Sequence, residues 1–312
     1  MSEPTTTKRA GWFRVSLRLL FLLMVVVGLV LAPVAARVRQ ASKQRIARAA
    51  LDNHNWFVPL GSEIDRFSRA SKSIEKPVLP AWLRGPLGED FFTDVQYARS
   101  PSYESPSYES PGDTSPGDKD QALSRDYRYV ADLHGLQKLE LYRATNENLS
   151  QLQYLSKVEW LVLEQCSITD EGLRYLHRYQ RLRGLTIHET PSTDDGLEYL
   201  AGLGNLSELT IRGAKIKGRG LQYITGLRQL KALSITQCQL KDDCLESLLG
   251  MSQLTTLHIE SNLLTDASID SLVKLTQLKH LTIGHTEITD AGRDRLGKAL
   301  PDCYIGRHQN GR

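Results

Sequence analysis

Residues 161–182 read LVLEQCSITDEGLRYLHRYQRL. Leu161 and Leu163 alternate, which places both on one side of a short strand. Cys166 follows where the chain leaves the strand, and Ile168 turns back toward the same side. Asp170 stands where a helix N-cap belongs. Leu173, Leu176, Tyr179 and Leu182 then recur every three residues. That spacing predicts a helix, α or partly 3₁₀, with one apolar stripe. A unit this small cannot bury its strand and its helix alone, so it needs copies of itself on either side.

The copies are present. The strand leucine recurs at Leu161, Leu185, Leu209, Leu233, Leu257 and Leu281, a spacing of 24 residues each time. Stacked turns bury a continuous core and pair their strands into a parallel sheet. The residue after each strand is small: Ala144, Cys166, Thr190, Ala214, Cys238, Asn262 and Thr286 form a predicted buried ladder. Cys166 and Cys238 are therefore read as small core residues. They lie three turns apart, roughly 14–15 Å at one strand spacing per turn, too far for a disulfide. Cys244 stands where other turns have glycine, and nothing assigns a role to Cys303.

These turns resemble the leucine-rich-repeat family, in particular the short subclass with I-T-D-x-G-L, here Ile168-Thr169-Asp170-Glu171-Gly172-Leu173 and Ile288-Thr289-Asp290-Ala291-Gly292. The resemblance implies an α/β solenoid with a short parallel β-sheet on its concave face and α or 3₁₀ helices on its convex face.

Projection of the period finds the ends. Ile305 lies 24 residues past Leu281, and Leu139 lies 22 before Leu161. Further upstream, Val95 and Tyr97 alternate as Leu139 and Leu141 do. Val95 is 44 residues from Leu139, and four pentapeptides (SPSYE, SPSYE, SPGDT, SPGDK) occupy 20 of them, residues 100–119. Without that block the spacing is again 24, so the first strand is expected at Val95, giving nine strands. The block's Pro, Ser and Gly content predicts a disordered surface insert. Trp82-Leu83-Arg84 and Leu87–Phe92 sit where the solenoid needs a cap. WLRxxLGEDFF also resembles the N-terminal cap of a group of bacterial membrane-anchored leucine-rich-repeat proteins.

The net charge of +3 is unevenly spread. Residues 1–50 carry nine Lys/Arg against one acid, Glu3, so the remainder is net −5. That balance excludes a nucleic-acid binder, which is basic across its folded part. Leu19–Ala36 runs eighteen residues without a charge, about 27 Å as a helix. A retained transmembrane anchor over 12–36 is expected, with a cleaved signal ending near Ala36 as the alternative. Basic residues flank the run on both sides, so orientation is weakly determined; the exported side is favoured for the solenoid. The organisation is then a tail (1–11), the anchor (12–36), a basic juxtamembrane helix and connector (37–81) and the repeat domain (82–312). The segment after the anchor reads as a plain stalk or as an amphipathic helix on lipid headgroups.

No nucleophile elbow, P-loop, dinucleotide fingerprint or His-Glu-x-x-His is present. Asp170, Asp194, Asp195, Asp242, Asp243, Asp266 and Asp290 are explained by helix N-capping at the repeat period rather than by calcium. His258, Glu260, His280 and His285 lie on neighbouring strands; imidazole and carboxylate suit zinc, but alternate strand positions about 7 Å apart do not guarantee ligand geometry, and the four are read as ordinary surface polar residues. Binding is expected on the open sheet face. Its candidate partner-binding residues are Tyr142, Trp160, Val162, Glu164, Thr186, His188, Arg212, His258 and Glu260, with Tyr142, Trp160 and Val162 forming a small apolar patch. The expected function is non-enzymatic: a membrane-tethered repeat protein that recognises or scaffolds a protein partner, with no cofactor, nucleic acid or small-molecule substrate. Two alternatives are a self-assembling structural component of the cell envelope and an adaptor in a protein-turnover or effector system.

Overall fold

The structure, a computed structural model, describes residues 17–53, 56–58, 95–100 and 126–306. One parallel sheet runs through it, with nine strands in chain order: β1 (Tyr97–Arg99), β2 (Lys138–Tyr142), β3 (Trp160–Glu164), β4 (Gly184–His188), β5 (Glu208–Arg212), β6 (Ala232–Thr236), β7 (Thr256–His258), β8 (His280–Thr282) and β9 (Tyr304–Gly306). The register aligns the strand leucines: Leu139, Leu161, Leu185, Leu209, Leu233, Leu257, Leu281 and Ile305 pair in succession. All of these but Ile305 are buried, as are Leu173, Leu176, Tyr179 and Leu182 of the quoted turn. Each buried leucine contributes about 1.5–3 kcal/mol. The returning segments are short and mixed, as the three-residue spacing requires: Asp170–Leu173 is α and runs into 3₁₀ at Arg174–Arg178, and Asp194–Leu200 and Asp242–Gly250 are 3₁₀.

Each turn leaves its strand through one residue in the left-handed region. Arg143, Gln165, Glu189, Gln237, Ser261 and His285 have φ between 48° and 54°, and Gly213, at the same offset, has φ 65°. Left-handed backbone costs a non-glycine residue about 1–2 kcal/mol. The stacked core on both sides holds the chain there. The next residue drops into the ladder: Ala144, Cys166, Thr190, Ala214, Cys238 and Asn262 are buried, and Thr286 is half-buried. Asn262 is the ladder's amide member. Its amide donates to the Ile235, Ile259 and Glu260 carbonyls at 2.7, 3.1 and 3.2 Å, and its oxygen accepts from the Leu240 amide.

The first strand departs from its expected register. Ala98, not Val95, pairs with Leu139, so 41 residues separate the two positions and 21 remain without the pentapeptides. Ser100, counted with the insert in the sequence, is buried at the position opposite Leu141. Its amide donates to the Glu140 carbonyl at 2.9 Å and its Oγ accepts from the Tyr142 amide at 2.6 Å. Residues 101–125 lie outside the described residues, and so does the expected cap at Trp82–Phe92.

Among the described residues, α1 and the segment after it pack on the first turn. A single helix, α1 (Leu17–Asn53), carries the apolar run in its first half. In its second half Ala41, Gln44, Ala47 and Leu51 are buried, and Ala47 and Leu51 join Trp56, Val58, Val95 and Tyr127 in the solenoid core. The Trp56 Nε1 donates to Asp126 at 3.3 Å, and its ring meets Tyr127 edge-on at 5.4 Å. Lys43 pairs with Asp132 at 3.3 Å. Phe57 bridges Arg99 in antiparallel fashion, with N–H···O distances of 2.9 and 3.0 Å, and so pairs the outer edge of β1. The segment read as stalk or headgroup-bound helix is thus packed on the domain. Among the described residues no helix is long and apolar enough to cross a membrane, so the expected transmembrane helix has no support there.

Candidate interaction face of the sheet

Inward leucine at the second strand position and leucine or isoleucine at the fourth leave the first, third and fifth facing out. The register stacks these into columns across the sheet. The first column carries Lys138, Trp160, Gly184 and Glu208. The second carries Glu140, Val162, Thr186 and Thr210. The third carries Tyr142, Glu164, His188 and Arg212. Seven of the nine candidate residues therefore lie on one face, and His258 joins them through its pairing with Ser234; all are half-buried except Arg212, which is exposed.

Trp160 lies on glycine. A Cβ at Gly184 would fall 2.1 Å from Trp160 Cε3 and 2.2 Å from Cζ3, so the indole rests on bare backbone. The ring is held against the neighbouring strand, and the residue as a whole is half-buried. Tyr142 stands at the other end of the strands, about 13 Å away at the rise of a strand. Its ring takes Arg143 at 5.4 Å and its hydroxyl donates to Gln165. The small apolar patch expected from Trp160, Val162 and Tyr142 is thus drawn out along the strands. Val162 lies between two separate aromatic positions.

The third column is knitted to the left-handed residues beside it. Gln165 donates to Glu189 at 2.9 Å. His188 lies between two carboxylates, with Nδ1 3.5 Å from Glu164 and Nε2 3.5 Å from Glu189. That Nε2 is buried without a hydrogen bond. Arg212 donates to Gln237 at 2.8 Å. A strip of polar side chains thus runs across β2, β3 and β4, with Gln165 and Glu189 as members that the columns omitted. Their signal in the sequence was a fixed offset after each strand, with Gly213 at the same offset marking the backbone conformation.

Further along the sheet, His258 Nδ1 lies 2.7 Å from Thr282 Oγ1, and the His280 ring meets Tyr304 at 6.2 Å. Glu260 lies beyond the end of β7, its carbonyl accepting from the Gln237 amide at 3.1 Å. Among the described residues no group of three or more His, Cys, Asp or Glu side chains is placed to hold a metal ion. The cysteines are free thiols. Burial pushes the Cys166 and Cys244 thiols up to about 12, which holds them protonated and unreactive.

The acidic turns act differently from the expectation of N-caps. The cap positions are Thr145, Thr169, Thr193, Thr265 and Thr289, with Lys241 in the sixth turn. The aspartate is the first helical residue, and its carboxylate reaches the next turn. Asp170 accepts from the Thr193 amide and hydroxyl at 2.7 Å each. Asp242 does the same for Thr265 at 2.8 and 2.7 Å, and Asp266 for Thr289 at 2.8 and 2.7 Å. Asn146 fills the role for Thr169 at 3.0 and 2.9 Å.

Residues 228–288 match the leucine rich repeat family model. No curated protein matches the chain. Among solved structures, an internalin of Listeria monocytogenes is similar with a TM-score of 0.48 and 24% identity, covering 59% of this chain and 51% of that one. Internalin C2 of the same organism gives a TM-score of 0.44 and 26% identity, covering 57% and 83%. The chain thus spans about half the length of the first. The family match together with the nine-stranded ladder supports a leucine-rich-repeat family and an α/β repeat solenoid.

Proposed function

We propose that this chain is a non-enzymatic recognition or scaffold protein of the short I-T-D-x-G-L subclass, whose open sheet face takes a protein partner. The observation that carries the reading is Trp160 seated on Gly184. A half-buried tryptophan already held against its neighbour loses little freedom on binding, and such residues dominate interface energies. Val162 and the polar strip beside β3 supply the rim.

Membrane tethering, with the solenoid on the exported side, is part of the proposal and rests on two supports. Leu19–Ala36 contains no charge. In the first half of α1, Phe21, Leu22, Met24 and Leu29 are between 59% and 71% exposed, an apolar surface that water does not favour. The second half of the same helix packs on the solenoid, which would fix the domain close to the lipid surface.

The test uses a photo-crosslinking residue placed in intact cells at Thr186 on the sheet face, or at exposed Glu246 among the helices. Adducts should form from Thr186 and fall at least tenfold in a Trp160→Ala background. Equal adducts from both positions, untouched by Trp160→Ala, would sink the proposal.

A further inference from the structure

Trp160 leans toward one neighbour. Its Cε3 and Cζ3 lie 2.1 and 2.2 Å from where a Gly184 Cβ would stand, so the six-membered ring reaches over β4 toward β5. The residue paired with Gly184 on that far side is Glu208. One strand spacing, about 4.8 Å, separates the two backbones. Trp160, Gly184 and Glu208 thus form one row, with the ring over the glycine and a carboxylate beyond it.

Glu208 is exposed, and no ion pair engages it among the described residues. Its neighbours on the sheet differ in this. Glu140 pairs with Arg99 at 3.4 Å and Lys138 at 2.8 Å, Glu159 with Arg183 at 3.4 Å, and Glu164 lies 3.5 Å from His188. Arg183, next to Gly184, is therefore already engaged. Lys231, exposed beside Ala232, makes no ion pair with Glu208. The outward residues around the row are small: Gly184, Thr186, Thr210 and Ala232. The face is low there, between the indole and the carboxylate.

An exposed carboxylate by itself needs only water. This one stands one strand from a held indole, and the two attract the same group. A guanidinium stacks against an indole and donates two parallel hydrogen bonds to a carboxylate. Its long stem lies well over small residues. An ammonium is compact and strongly hydrated, and it matches neither partner as well.

We propose that the partner of the sheet face presents an arginine to this row, with its guanidinium between the Trp160 indole and the Glu208 carboxylate. The inference rests on the reading that this face takes a protein partner. It adds the chemistry the face selects, a basic segment carrying arginine in preference to lysine. Glu208, which stands outside the nine candidate residues, is then the residue that sets this preference.

The full chain in neutral detergent micelles is labelled with 5-fluorotryptophan, and the Trp160 resonance is identified by its loss in Trp160→Phe. Titration with acetyl-Gly-Arg-Gly-amide should move that resonance saturably. Half-saturation should need at least threefold more of the matching lysine peptide, and at least fivefold more of the arginine peptide in Glu208→Gln. The matching glutamate peptide should leave the resonance in place. A thermal melt checks that Glu208→Gln folds as the parent does. The proposal is overturned if the arginine peptide leaves the resonance unmoved, if lysine serves equally well, or if Glu208→Gln binds arginine as the parent does. Crosslinking from Thr186 in intact cells separates this proposal from the reading beneath it. Adducts that fall both with Trp160→Ala and with Glu208→Gln support the two together. Adducts that fall with Trp160→Ala but persist in Glu208→Gln keep the face as an interface and refute the arginine. Adducts untouched by either substitution refute the interface and the arginine with it.

Discussion

Asp170 holds Thr193, one turn further along the solenoid, through two hydrogen bonds of 2.7 Å, one from the amide and one from the hydroxyl. The bond pair joins neighbouring turns outside the leucine core. Asp170→Ala leaves the half-buried Thr193 amide unmatched and should cost about 1–2 kcal/mol. Asp170→Asn should cost much less, because an amide side chain can accept from the N–H and donate to the hydroxyl, as Asn146 does for Thr169. Urea unfolding midpoints of the two variants test this. Equal losses for both would show that charge, and not the hydrogen-bond pattern, is what matters.

Hydrogen bonds from the Thr289 side chain and then its amide hold the Asp266 carboxyl below the usual carboxylate range. The unfolded chain therefore binds a proton at higher pH than the folded one. The contribution of Asp266 is fully present above its unfolded value, about 4, and is lost as pH falls through the depressed folded value. The stability gap between the parent and Asp266→Ala should be constant above roughly pH 5 and narrow below it. A gap that widens on acidification would contradict the assignment.

The ladder also explains a glycine. A Cβ at Gly196 would fall 2.4 Å from the Asp170 carboxylate and 2.8 Å from Leu173 Cδ1, whereas one at Gly202 meets nothing within 4 Å. Gly196→Ala must displace the carboxylate and should destabilise by about 1–3 kcal/mol. Gly202→Ala should be neutral or stabilise by up to about 1 kcal/mol. Thermal melts of the pair decide it, and similar effects at both sites would refute the packing argument.

The repeat was legible because its leucines recur at 24 residues and burial allows few other residues there. The aspartates were legible only in position. A cap within one turn and a clasp between turns recur with the same period, so spacing cannot separate Asp170 as N-cap from Asp170 as partner of Thr193. The start of the sheet was obscured for another reason. Ala98 and Ser100 stand where other turns have leucine or isoleucine, while Val95 and Tyr97 imitate the alternation nearby. The packing of α1 on the first turn was hidden because Ala41, Gln44 and Ala47, which precede Leu51 in the buried stripe, are small or polar and are interleaved with basic residues. On the sheet face, the columns were readable from alternation. The seat of Trp160 on Gly184 was not, since it depends on a side chain lying sideways across a strand.

Ser100 gives the remaining prediction, because it separates the strand from the block that follows. Its Oγ accepts the Tyr142 amide at 2.6 Å and its own amide binds Glu140, so it belongs to the ladder of β2. Ser100→Ala removes the acceptor and should cost about 1–2 kcal/mol. Deleting residues 101–119 while keeping Ser100 should leave the melting temperature nearly unchanged, since a loop-length change of this size costs only tenths of a kcal/mol to about 1 kcal/mol. Deleting Ser100 with the block should lower it as Ser100→Ala does, or further. If the shorter deletion also melts early, the pentapeptides are part of the packed turn and not an insertion beside it.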